Sequence, residues 1–210
     1  MKKKITILLI FISLNISSQS FFNTYKKGTL HMRDGSDLRG LLKLSSGNKI
    51  KFKKTKKDKK QTFDYKEVSR VKFLFEEEFL YKINIKSKRH LLIKRVVKGK
   101  LNLYSLISYN PGLLMGNPGS PVIGASSQTI YYVGKENSDY IEVLPSIDKK
   151  KFIKILSKQT SDCQEFLNMI KDKENIEYFF EKKESESERD FIKKDSRIEQ
   201  MINYYNSHCN

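Results

Sequence analysis

The chain has 210 residues, and its composition gives a formal net charge of +17. Lysine outnumbers arginine 34 to 7. The charge is lopsided: Phe21–Asn110 holds 24 Lys plus Arg against 8 Asp plus Glu, whereas Pro111–Asn210 holds 14 against 16. A basic half raises nucleic acid as a partner. However, base edges and bidentate phosphate contacts favour arginine, and the chain has no zinc-finger spacing, RNA-recognition aromatic motif or basic zipper. Nucleic acid is therefore not the expected partner.

The first twenty residues read MKKKITILLIFISLNISSQS. Three lysines precede an apolar run from Ile5 to Ile16, and small residues stand at Ser18 and Ser20. This is the pattern of a secretory signal peptide spanning 1–20, cut before Phe21 or before Gln19. The run is shorter than the roughly 20 residues a bilayer-spanning helix needs, although an uncleaved anchor is the rival reading. No cysteine lies near the cut, which argues against a lipid-anchored lipoprotein. No later segment is apolar enough for a membrane helix. The expected address is outside the cytosol: periplasmic, outer-membrane-associated or secreted. About 190 residues then remain, enough for one or two small domains.

The stretch 21–145 reads as strands. Gly28–Met32 leads to an Asp34-Gly35 turn, and Leu38–Leu44 to a Ser45–Asn48 turn. Lys49–Lys60 reads KIKFKKTKKDKK, in which eight of twelve residues are lysine. Ile50 and Phe52 alternate with Lys49, Lys51 and Lys53, as in a half-buried strand with a wet lysine face. Lys54, Lys56, Lys57, Lys59 and Lys60 fall in a solvated turn before a return strand at Thr62–Tyr65. Such lysines discourage edge-to-edge aggregation. The same eight lysines are also the candidates for contact with anionic envelope lipid or polysaccharide, through a Coulombic, salt-sensitive attraction. Further strands are expected at Val71–Phe75, Phe79–Ile85, Leu91–Val97 and Leu101–Ile107, with Glu76–Glu78 and Lys86–Arg89 as turns.

Tyr109–Thr129 reads YNPGLLMGNPGSPVIGASSQT, with four glycines and three prolines, and is expected to be a loop. Loops this long tend to be functional or disordered. Leu113, Leu114, Met115, Val122 and Ile123 make it more apolar than an ordinary linker: a disordered loop or one packed over a sheet face is the first reading, and a candidate lip for another envelope protein is the second. A hairpin of Ile130–Val133 and Tyr140–Leu144 follows, and Pro145 marks a boundary. Residues 146–210 change to helical period. A helix begins near Asp148 and carries Phe152, Ile155 and Leu156. Ser161 with Gln164 fits a capping box for a helix carrying Phe166, Leu167 and Ile170. Ile176–Phe180 extends the helical region, Glu181–Asp190 is a charged break or helix face, and a last helix carries Phe191, Ile198, Met201, Ile202 and Tyr205. The expected fold is α+β: an antiparallel, barrel-like sheet followed by a small helical region.

Two cysteines, Cys163 and Cys209, fit a disulfide in an exported protein. A catalytic thiol served by His208, His31 or His90 is the alternative. No phosphate-binding glycine loop, histidine pair, nucleophile elbow or metal-ligand spacing is present, so no catalytic residue, metal or cofactor is assigned. Asp34, Asp37 and Glu76–Glu78 are explained by polar turns.

In order along the chain, Val97-Lys98-Gly99-Lys100-Leu101-Asn102-Leu103-Tyr104, then Tyr131-Tyr132-Val133, Ser161-Asp162-Cys163 and Tyr205-Asn206-Ser207-His208-Cys209 form a GKxxLY, DC and YNxxC series. This series resembles uncharacterised exported proteins of Bacteroidetes-type bacteria. The resemblance implies export and paired cysteines, and no activity. The Asp34-Gly35 and Gly40 pattern also resembles small Sm-like or SH3-like barrels, a fold that does not fix function. The expected role is a non-catalytic interaction module of the envelope or periplasm. Binding of anionic envelope polymers or lipids is the alternative, and a hydrolase a third.

Overall fold

The computed structural model describes residues 24–74, 77–110, 126–180 and 189–209. Ten strands form one sheet: β1 (Lys26–Met32), β2 (Asp37–Ser45), β3 (Lys49–Lys53), β4 (Gln61–Phe63), β5 (Val68–Phe73), β6 (Glu78–Asn84), β7 (His90–Val97), β8 (Leu101–Asn110), β9 (Ser126–Lys135) and β10 (Tyr140–Leu144). Four helices follow: α1 (Lys149–Gln159), α2 (Gln164–Lys171), α3 (Lys173–Phe180) and α4 (Arg189–His208). The α+β expectation holds. Strands β8 and β9 extend into the expected loop from either side, pairing as far as Asn110 with Ser126. The candidate partner residues Leu113, Leu114, Met115, Val122 and Ile123 lie outside the described residues, as does the expected signal segment.

The strand order is β10-β9-β8-β7-β6-β5-β1-β2-β3-β4, with β10 also pairing β6. That extra pair closes β6 to β10 into a five-stranded barrel. Strand β6 makes this possible by dividing one edge. Glu78, Phe79 and Leu80 bond β5, whereas Ile83 and Asn84 face Tyr140 and Ile141 of β10. The closing pair is parallel, a departure from the antiparallel expectation. In an up-and-down run of five strands, the first and fifth point the same way, so closure can only be parallel.

The two halves of the sheet curl in opposite senses, which the register makes visible. In the N-terminal half, Leu30, Leu42, Ile50, Phe52, Val71 and Phe73 share one face and are buried. They form a core with Phe79, Tyr81 and Leu92. Asn48 shuts that core. Its side chain donates to the His90 carbonyl at 3.0 Å and accepts from Leu92 N–H at 3.3 Å, tying the β2–β3 turn to β7. A tight curl also needs close backbone approach at Gly40, where an added Cβ would lie 2.4 Å from the Lys53 carbonyl oxygen. In the C-terminal half it is the opposite face that turns inward. Ile93, Tyr104, Tyr132 and Ile141 fill the barrel, and their neighbours Leu101, Leu103, Tyr131 and Val133 point out beneath the helices.

The helices exist to cover that outer face. Phe152, Ile155 and Leu156 of α1, Phe166 and Ile170 of α2, Ile176 of α3, and Ile198, Met201, Ile202 and Tyr205 of α4 are all buried against it. Asp148 caps α1 as expected, accepting from Lys151 N–H at 3.0 Å. The capping box does not form. The residue before α2 is Cys163, with no side-chain cap bond. The reason is that Cys163 and Asp162 are committed elsewhere.

Candidate anionic-surface interface

The solvent face of the N-terminal sheet is the back of its core face. Strand alternation therefore assigns it Lys27, Thr29 and His31 of β1, and Arg39, Leu41 and Lys43 of β2. It adds Lys49, Lys51 and Lys53 of β3, and Arg70 and Lys72 of β5. The register places Lys43 opposite Lys51, Leu41 opposite Lys53, and Thr29 between Arg39 and Lys72. Like charges directly opposite one another disfavour a sheet by themselves. Asp37 is the carboxylate on this face, and it is engaged by His31 Nδ1 at 2.7 Å. The expected alternation of β3 is seen, with Ile50 and Phe52 buried and Lys49, Lys51 and Lys53 outward. Lys54, Lys56, Lys57, Lys59 and Lys60 lie on the exposed β3–β4 turn. Thr55 N–H bonds the Asp58 carboxylate at 2.7 Å, which shapes that turn. The structure thus extends the candidate surface from one hairpin to most of a sheet face. The signal for this in the sequence was the spacing of Arg39, Lys43, Arg70 and Lys72 between apolar neighbours.

Where β5 meets β6, this face becomes the wall of the barrel. Lys72 stands opposite Glu78, and next to Glu78 on the other side is Arg95 of β7. Glu78 Oε1 pairs with Arg70 at 3.3 Å, and Oε2 pairs with Arg95. The expectation that Glu76–Glu78 forms a solvated turn fails for Glu78, whose side chain is only 13% exposed. Two guanidiniums draw its carboxylate inward. Glu77 pairs with Lys94 at 2.8 Å. A cleft of about 470 Å³ opens here, lined by Arg70, Lys72, Glu78, Arg95, Val96 and Lys98. Beneath it in the lumen is Tyr104, whose phenol is pushed up to about 12 by burial, against the opposing pull of Arg95.

The second cleft, about 430 Å³, is lined by Arg33, Tyr65, Lys66, Tyr81, Ile83, His90 and Asp139. Here His90 stacks on Tyr65 with ring centres 3.8 Å apart, and Arg33 Nε donates to the Tyr65 carbonyl at 2.7 Å. Burial raises the Tyr81 phenol strongly. Of the carboxylates considered from sequence, Asp34 and Asp37 are held by local hydrogen bonds. Asp34 accepts from both the backbone and hydroxyl of Ser36, at 2.8 and 2.6 Å, and is lowered by those bonds. The His31–Asp37 pair has the form of a nucleophile-activating relay. The other ring nitrogen, His31 Nε2, is buried with no hydrogen-bond partner among the described residues. Among the described residues no group of three or more His, Cys, Asp or Glu could hold a metal ion.

The GKxxLY, DC and YNxxC segments meet at one place, the junction of barrel and helices. Cys163 and Cys209 form a disulfide across 46 positions. The catalytic-thiol alternative is thereby removed, since both sulfurs are bonded. In the chain-entropy view such a closure is worth about 4 kcal/mol. Lys100 Nζ donates to the Asp162 carboxylate at 2.7 Å and to the Cys209 carbonyl at 2.7 Å. Tyr205 donates to the two Asp162 oxygens at 2.9 and 3.1 Å. The Lys100 bond, with help from Tyr205, lowers Asp162 to about 2 against the opposing effect of burial. Asn206 completes the junction. Its side chain accepts from Leu101 N–H and donates to the Leu101 carbonyl, each at 2.9 Å, acting as a one-residue strand at the edge of β8. Gly99 is required because a Cβ there would lie 2.4 Å from the Asn206 amide. These residues lie in three segments far apart in sequence, and the fold brings them into contact.

No family model matches the chain, and comparisons with curated proteins and with solved structures return no match. No described helix is long and apolar enough to cross a membrane.

Proposed function

We propose that the protein is an exported, non-catalytic interaction module that lays the basic face of its N-terminal sheet on anionic envelope material. The observation that carries this reading is the register across β5, β1, β2 and β3, which gathers Lys72, Arg70, Lys27, Arg39, Lys43, Lys49, Lys51 and Lys53 onto one solvent face. Two features support the location. A disulfide suits an oxidising compartment, and the N-terminal segment has the pattern of a signal peptide. The junction built by Gly99, Lys100, Asp162, Tyr205, Asn206 and the disulfide holds the helices to the barrel and is a structural element of this module.

Each cation near an anionic bilayer contributes about 1 kcal/mol, and the contribution is screened within a Debye length. Co-sedimentation with phosphatidylglycerol vesicles and with neutral phosphatidylcholine vesicles tests the reading. Binding to the anionic vesicles alone, falling steeply as salt is raised, is the expected outcome. Equal binding to both, or binding insensitive to salt, would refute it.

A further inference from the structure

We infer that the cleft between β5, β6 and β7 is a discrete site for a phosphomonoester dianion at the border of the basic sheet face, with which it shares Arg70 and Lys72. The inference takes its ligand class from the proposed function, but the site stands on its own geometry. Four cations, Arg70, Lys72, Arg95 and Lys98, surround one carboxylate, Glu78, in a cleft of about 470 Å³. Glu78 takes a single pairing from each guanidinium, Oε1 from Arg70 Nη1 and Oε2 from Arg95 Nη2. A guanidinium carries five N–H donors in a rigid fork, so most donors of both remain for a second acceptor. Arg95 is only 19% exposed and Arg70 43%, so the pair is oriented in advance by the carboxylate it shares. Preformed donors bind an anion without the ordering cost that free surface side chains incur. Lys72 and Lys98 are exposed at the rim and supply mobile point charges. Three positive charges are left over once Glu78 is counted, which suits a doubly charged terminal phosphate better than a monoanionic diester.

Glu78 has a testable consequence: it orders the arginines and also repels the ligand. Replacing it by glutamine keeps a hydrogen-bond acceptor and removes the charge. The test is calorimetric titration of the full chain with inorganic phosphate at constant ionic strength. Wild type should bind with one-to-one saturation. Glu78→Gln should bind at least about fivefold more tightly, from the loss of one like charge at contact range. The exposed pair Lys72→Gln with Lys98→Gln, which leaves the arginines untouched, should bind several-fold more weakly. Lys49→Gln with Lys51→Gln, elsewhere on the same face, should not change phosphate affinity. Vesicles carrying phosphatidic acid or phosphatidylglycerol at matched surface charge then separate the two sources of the phosphate. Preference for phosphatidic acid assigns the cleft to a lipid headgroup, and equal binding alongside saturable phosphate titration assigns it to a soluble phosphomonoester. Absence of saturation, an unchanged Glu78→Gln affinity, or equal losses from the two lysine pairs would overturn the site. The last two results would leave the broader surface reading intact, whereas loss of vesicle binding with a normal phosphate titration would do the reverse.

Discussion

Replacing Asn206 by alanine removes two hydrogen bonds of 2.9 Å to the backbone of Leu101. Leu101 is fully buried, and β7 has already ended at Val97, so no strand is present to take over. A buried donor or acceptor left without a partner costs about 1–3 kcal/mol. Asn206 itself is half-buried, and water can reach part of the gap, which places the loss at roughly 2–4 kcal/mol. For a chain of this size that lowers Tm by roughly 5–15 °C. Gly99 gives the sharper test. Gly99→Ala in the wild type drives a methyl to 2.4 Å from the Asn206 amide. The three nearest atoms are all side-chain atoms of Asn206, and all three vanish in Asn206→Ala. The alanine should therefore be costly alone and nearly free in the Asn206→Ala background, with a coupling of at least ~1 kcal/mol. Urea denaturation of the four proteins measures the cycle. Additive losses, or an Asn206→Ala variant within about 0.5 kcal/mol of wild type, would refute the strand-like role of Asn206.

Asp162 predicts a pH effect. Its carboxyl lies at about 2 in the fold, below the ordinary value of 3.8. A depressed carboxylate contributes stability that is complete above the unfolded value and is lost as pH falls through the folded one. Asp162→Asn should therefore flatten part of the stability loss between about pH 4 and pH 2, measured by thermal melts across that window. An unchanged profile would show that the Lys100 bond is not formed in solution. The export reading predicts an intact mass beginning at Phe21 or Gln19 for protein recovered from cells, with no alkylation until reduction. A full-length mass with two free thiols would refute both the cleavage and the disulfide.

Much of the fold was readable from local pattern. Ile50 and Phe52 between lysines gave β3 and its wet face, the apolar spacing of Tyr140–Leu144 gave β10, and Asp148 marked the start of α1. These signals survive because a strand or a capped helix is encoded within a few residues. A barrel-like sheet is legible in the run of alternating strands, but which strands close it is not, because closure depends on β6 dividing one edge between β5 and β10. The solvated turn expected at Glu78 fails for a related reason: its arginine partners come from two other strands. The capping box at Ser161 failed because Asp162 and Cys163 answer to Lys100, Tyr205 and Cys209. Lys100 lies 109 positions from Cys209 and Leu101 lies 105 from Asn206. The lysine run showed the opposite difficulty. Its chemistry was evident, but its extent became visible only when register joined it to β1, β2 and β5.

The central claim is that one face, rather than net charge, carries the interaction. It is tested most directly by two charge-matched variants in the phosphatidylglycerol vesicle assay. One carries Lys49→Gln, Lys51→Gln and Lys53→Gln on the sheet face. The other carries Lys150→Gln, Lys151→Gln and Lys154→Gln on the exposed side of α1. At about 1 kcal/mol per cation, the sheet-face variant should lose affinity on the order of a hundredfold, and the helix variant should stay close to wild type. Equal losses in the two variants would show that binding follows total charge, and the account of the basic face would be wrong.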